Sequence, residues 1–476
     1  MKSFLRSKLT VPLATVVLIA TAVFIPLSAN AIHSRAAGTN LYVNATTGND
    51  SNPGTQSAPF ATIKKADSRA RPGTTVHVAP GTYTWAGVYT THSGTATARI
   101  TFVSDTRWGA KLVPPRIGSA SGHGVWYVQG DYLGVIGFDI TGGPGALGGI
   151  MIDGSYIRVN GNKIHDIGGP TCNDGAHGIT TRGYTTHDDE IIGNLIYNIG
   201  PALPNTCNQW HGIYEANIND TISNNIVDNV RGGFGIHCWH ACAGSTITNN
   251  LVYNNNAGGI IIGGGDMPYY ANSLADHILI ANNIAVNNNG YGIREYENPG
   301  QHTLGANDIY TNNLTYGNTR GNYFFYHTGR TPVHPIYADP QFINYRANDS
   351  GDYHLKPGSP AIDSGTSKGA PSTDFDGNTR RKGAGYDIGP YEFLTSVSPV
   401  LRPKKVGLLV NGMAKSKEKR NGFAPQSQKA KVRTFFPFTL LFLLVCVFGA
   451  GVAIVGYRIY KGFKKNTVSG KQVELH

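Results

Sequence analysis

Several side chains in the middle of this 476-residue chain could move a proton or hold an anion. His237 and His211 are imidazoles able to act as a base, and Tyr214 carries a phenol able to donate to a leaving oxygen. Arg182 and Arg294 could neutralise a carboxylate, and Asp153 adds a negative partner. Trp239, Trp210 and Tyr296 offer flat faces for stacking. These residues are spread from Asp153 to Tyr296, so they form a site only if the fold lays distant segments side by side.

The chain repeats over that stretch. One motif places Asn before a short apolar run (GNKIHD, GNLIYN, NNIVDN, NNLVYN, NNIAVN, NNLTYG), at Asn162, Asn194, Asn225, Asn250, Asn283 and Asn313. A second places Gly-Ile at the start of a short strand (GGIMID, HGITTR, HGIYEA, FGIHCW, GGIIIG, YGIREY), with Ile150, Ile179, Ile213, Ile236, Ile260 and Ile293 aligned. The two series interleave, one of each per period. Short alternating strands with Asn and Gly at corners specify a β-solenoid, while the density of Gly and Asn and the lack of a 3.6-residue period exclude a helical repeat. Equivalent strands should pair in parallel about 4.8 Å apart. The repeated Asn should sit at a corner, in left-handed geometry, with its amide in a ladder.

If each aligned Ile points inward, the next residue points outward. One outward column then reads Met151, Thr180, Tyr214, His237, Ile261, Arg294, and a second reads Asp153, Arg182, Ala216, Trp239, Gly263, Tyr296. Tyr214 and His237 should lie about 5 Å apart on adjacent coils. His177 and His211, which precede Gly-Ile at equivalent positions, read equally well as corner residues. Glu215 and Glu295 share the parity of the inward Ile, so the cost of burying a carboxylate places them just past the strand ends. Asp188-Asp189-Glu190 reads as a solvated loop, and Asp374-Phe-Asp376-Gly-Asn378, with no Glu at the offset a calcium loop needs, as a turn.

With these repeats the sequence resembles the right-handed parallel β-helix proteins of the pectate-lyase-like superfamily. Tyr42 to Tyr83 resembles the opening segment of that group, with a capping helix expected over Ala58–Ala70. Residues 338–393 (ADPQFINY…DYHLKPGSPAIDSG…DFDGNTRRKGAGYDIGPYEF) resemble the choice-of-anchor Q segment that lies between a β-helix and a surface anchor. The resemblance implies an all-β right-handed parallel β-helix acting on polysaccharide, with a groove along the sheet of the two outward columns.

Three functions follow as expectations. In a uronate-directed lyase, Arg182 or Arg294 neutralises the carboxylate, His237 or His211 takes the C5 proton, and Tyr214 donates to the leaving oxygen, with Trp239, Trp210, Asp153 and Tyr296 binding sugar. The alternatives are a non-catalytic carbohydrate-binding or adhesive surface protein, and a glycoside hydrolase, which needs two carboxylates astride the bond. No cofactor is required by these residues; calcium is the one the resemblance allows. The calcium-dependent members use a Lys or Arg base, and Lys163, the single Lys between positions 120 and 330, falls on the Asn-ladder arm instead.

Charge argues against nucleic acid as a partner: residues 32–395 carry 22 Lys/Arg and 27 Asp/Glu, and the net +11 of the chain comes from its ends. Residues 1–31 read as a signal peptide, with Lys2, Arg6 and Lys8 before an apolar run and an A-x-A end. The remaining divisions are the β-helix at 40–330, the choice-of-anchor Q-like segment at 331–395, a basic stalk at 396–433, one transmembrane helix at 434–457 and a tail at 458–476. Arg458, Lys461, Lys464 and Lys465 place that tail in the cytoplasm and the body outside. The stalk would be drawn to anionic envelope polymers. Cys446 falls in the span, and the even set Cys172, Cys207, Cys238 and Cys242 predicts disulfides, with the pairing open.

Overall fold

The computed structural model describes residues 38–84, 87–114, 124–144, 146–168, 175, 177–182, 185–200, 208–266, 274–327 and 329–394. The segments expected to be a signal peptide, a stalk, a transmembrane helix and a tail, and Cys172, Cys207 and Cys446, lie outside these residues. No described helix is long and apolar enough to cross a membrane.

Each coil of the solenoid gives one strand to each of three parallel sheets. The first sheet runs from Asn40–Val43 to Ile309–Thr311, the second from Gly81–Tyr83 to Leu314–Tyr316, and the third from Val88–Thr90 to Gly321–Phe324. In the third sheet Ile150, Ile179, Ile213, Ile236, Ile260 and Ile293 pair one on the next. All six are fully buried, each contributing roughly 1.5–3 kcal/mol by leaving water. The core is therefore a stack of identical side chains, which fixes the register of everything outside it.

The Asn ladder forms as expected. Asn225 accepts from the backbone N–H and Nδ2 of Asn194, and donates its own to Oδ1 of Asn250, all at 2.9–3.0 Å. The pattern runs unbroken from Asn162 to Asn313. The left-handed residue is the one before the ladder Asn: Asn224, Asn249, Asn282 and Asn312 have φ of 51–56°, and Gly161 and Gly193 fill that place in earlier coils. The ladder Asn stays in ordinary geometry because its amide must lie flat between coils. A second ladder, Asn255, Asn288 and Asn318, follows the second sheet.

The capping helix is Ile63–Arg69, shorter than expected. Its start is set by Thr62, whose hydroxyl accepts from the Lys65 N–H. Residues before it are held elsewhere, Phe60 N–H by Tyr42 and the N–H groups of Ala61 and Thr62 by Asp50. After the last coil the chain turns back along the solenoid. Phe342, Tyr353, Leu355, Ala361, Ile388 and Tyr391 cover Ile226, Leu251, Tyr253, Ile284, Val286 and Leu314 of the second sheet. Left-handed corner asparagines tie it down: Asn224 donates to Thr373 O, Asn249 to Asp387 O and Gly389 O, Asn282 to Thr366 O. Asp374 is a turn, its oxygens taken by the N–H groups of Asp376, Asn378 and Glu392.

Candidate functional site

The outward face of the third sheet is built by a break in strand alternation. A Cβ on Gly178 would lie 2.5 Å from Ile196 Cγ2, and one on Gly212 would lie 2.2 Å from Val227 Cγ1, so these glycines, like the Ile that follows, face the core. Two successive inward positions reverse the side on which earlier residues emerge. His177 and His211 therefore turn outward and stack at 5.4 Å, with Tyr214 5.0 and 5.6 Å from their rings. They belong to the site, and only Gly tolerates the close approach that puts them there.

A groove of about 790 Å³ follows, lined by His177, His211, Tyr214, His237, Arg182, Trp239, Arg294 and Tyr296. Tyr214 pairs with His237 in register, their rings 5.2 Å apart and edge to face. Trp239 stacks on Tyr296 at 6.0 Å. The groove is also lined by His240, Asp266 and Asn298. Asp266 accepts from Trp239 Nε1 at 3.1 Å and Asn298 Nδ2 at 3.1 Å, fixing the indole. Cys238 and Cys242 form a disulfide that closes the turn carrying Trp239 and His240. Trp210 is fully buried in the core and presents no face to the groove. Toward the N-terminal coils the same column continues as Tyr127 and Tyr89, stacked at 4.6 Å.

The two arginines differ. Arg182 is held by Asp153 through two bonds, Nε to Oδ1 at 3.1 Å and Nη2 to Oδ2 at 2.9 Å, which is how Asp153 bears on the groove. Arg294 makes no ion pair with a described residue; it lies over Tyr296 at 4.7 Å and its buried Nε has no partner. Desolvation above all holds His211 and His237 well below the usual imidazole range and lowers His177 to about 3, which favours neutral rings. The His211 ring is saturated, Nδ1 accepting from Phe234 N–H at 3.2 Å and Nε2 bonded to His237 Nδ1 at 2.7 Å. This removes His211 as a proton acceptor for a ligand, and leaves His237 with Nδ1 occupied.

Glu215 and Glu295 lie within strands and are fully buried, against the sequence expectation. Burial is tolerated because Glu295 meets Arg330 Nε at 2.9 Å, and because desolvation keeps Glu215 protonated beside Asp220, both carboxyls pushed up. Asp189 is buried too: its Oδ1 accepts from Ile157 N–H in a corner ladder, while desolvation, then Asp220, raises its carboxyl to about 9. The described lining of the groove does not itself make a calcium site: Asp266 is the single carboxylate among those residues, and no described cluster of three or more His, Cys, Asp or Glu could hold a metal. Lys163 lies on the second sheet, 2.6 Å from Asp139.

The comparisons with known proteins agree on the fold. A family model described as "Pel9A-like, right handed beta helix region" matches residues 41–197. Among solved structures, pectate lyase Pel9A superposes with a TM-score of 0.53 at 17% identity, covering 75% of this chain and 98% of that one. A rhamnogalacturonan lyase gives 0.40 at 18% identity over 60% and 70%. An alginate lyase from Paenibacillus sp. str. FPU-7 gives 0.41 at 18% over 62% and 99%. No curated protein sequence matches the chain. The fold is a right-handed parallel β-helix, and the region matched by the Pel9A-like model lies in the N-terminal half of the solenoid.

Proposed function

We propose that the protein is a uronate-directed polysaccharide lyase that works outside the cell. A signal peptide at 1–31, a choice-of-anchor Q-like segment at 331–395 and a membrane helix at 434–457 would hold it at the surface. The observation that carries the reading is Arg294, a guanidinium without a counter-ion among the described residues, in the same groove as the Tyr214 phenol and a wall of neutral imidazoles. Such a groove receives an anionic sugar chain laid along the coils, and the names of the fold neighbours, which include pectate and alginate lyases, suit that substrate class.

Arg182, oriented by Asp153, and Arg294 neutralise sugar carboxylates, which acidifies the C5 proton. His177, stacked on Tyr214, accepts that proton; a carboxylate entering beside it opposes the desolvation that holds its pKa down. Tyr214 gives its proton to the leaving oxygen as the C4–O bond breaks and the C4=C5 double bond forms. Proton return from His177 to Tyr214 resets the site. Trp239 and Tyr296 stack on flanking sugars. A non-catalytic glycan-binding role is the second reading. It is favoured by the lack, among the described lining residues, of a lysine or of the carboxylate pair that a hydrolase requires.

Incubating the purified protein with polygalacturonate, alginate and glycosaminoglycans distinguishes the readings. Ultraviolet absorbance from an unsaturated uronate should rise with one of them. New reducing ends without absorbance would indicate a hydrolase, and binding without either product an adhesive protein.

A further inference from the structure

We propose that His211 is a positioning residue that locks His237 as an Nε2–H donor, which gives a neutral hydrogen bond to the carboxylate of the sugar facing Tyr214. The inference rests on the uronate reading above and deepens it by assigning the group that meets the reacting carboxylate.

The lock begins at the backbone. Phe234 N–H points at His211 Nδ1 at 3.2 Å, and an N–H can only meet a lone pair, so Nδ1 of His211 carries no proton. The one proton of that neutral ring is therefore on Nε2. His211 Nε2 lies 2.7 Å from His237 Nδ1, which must in turn accept. The proton of His237 is left on Nε2, and that nitrogen makes no hydrogen bond with a described residue, although the ring lines the groove. A histidine in this state cannot take the C5 proton through Nε2; it can only give a hydrogen bond. It stands one coil from Tyr214, at 5.2 Å between rings, where the charge of an enolate formed from the carboxylate would develop. Two histidines in tandem thus do what a second cation would do, without adding repulsion toward Arg294. Gly212, between His211 and the core Ile213, is what lets His211 emerge on this face.

The test uses the full chain labelled with ¹⁵N-histidine, whose ring nitrogens report protonation by their NMR shifts. His237 should show protonated Nε2 and bare Nδ1 at neutral pH. His211→Gln, whose amide can accept from Phe234 and donate to His237, should keep this tautomer and bind an oligouronate within about threefold of wild type. His211→Leu should release it to a mixture and weaken binding by about tenfold or more. A His237 found as Nδ1–H in the unaltered protein overturns the proposal whatever the activity, and so does a His211→Leu protein with tautomer and affinity unchanged. If His211→Leu does not fold, the wild-type tautomer and the Gln variant decide. Finding His237 as Nε2–H while no uronan yields unsaturated product would remove the lyase reading and leave a donor wall suited to binding.

Discussion

Tyr214→Phe is expected to lower turnover of the uronan substrate by about 10²–10⁴-fold, the range for removing a positioned proton donor. The loss should fall on kcat, with KM close to that of the unaltered enzyme, because the ring and its contacts with His177, His211 and His237 remain. The phenol is the group on this wall whose proton can go to the leaving oxygen: Arg182 is tied to Asp153, His211 is saturated, and His177 serves on the other side of the step. Steady-state kinetics followed by ultraviolet absorbance check the result. An equal loss in substrate affinity would assign Tyr214 to binding instead.

Asn250→Ala is expected to destabilise the solenoid by about 3–5 kcal/mol, since each buried group left without a partner costs roughly 1–3 kcal/mol. The substitution leaves the N–H of Asn225 without its acceptor and takes one bond each from Asn225 Nδ2, the carbonyl of Ile222 and Oδ1 of Asn283, all out of reach of water. The side chain of the exposed Asn289, beside the second ladder, bonds among the described residues to Asn256 and Thr319 at the surface, and Asn289→Ala should change stability by about 0.5 kcal/mol or less. Denaturant unfolding of the two variants measures the contrast. Similar losses in both would mean that the ladder is no more than a row of corner residues.

Much of this architecture is legible in the sequence because a solenoid writes its register into its spacing. The alignment of Ile150 with Ile179 and Ile213 is enough to pair Tyr214 with His237, and the structure has that pairing. What the spacing hides is any departure from strict alternation. Gly178 and Gly212 look like corner residues on paper, yet their missing Cβ atoms admit a second inward position, which swings His177 and His211 into the groove. Burial of charge was hidden for another reason. Burial pushes the carboxyls of Glu215 and Asp189 up toward their neutral form, and Glu295 finds Arg330 on a later loop, so the penalty assigned to an isolated carboxylate does not apply. Trp210, suited by type to stack on a sugar, is taken by the core instead. The direction of the His211–His237 bond depends on one backbone N–H, which no residue pattern records.

The central claim is that stacked coils assemble a groove that receives carboxylates at Arg294. Calorimetric binding of an oligouronate against the same oligomer with its carboxyl groups reduced to alcohols tests it most directly. The charged oligomer should bind at least about tenfold more tightly, a difference of about 1.4 kcal/mol, and the preference should vanish in Arg294→Met. Equal binding of the two oligomers, or a preference untouched by Arg294→Met, would contradict it.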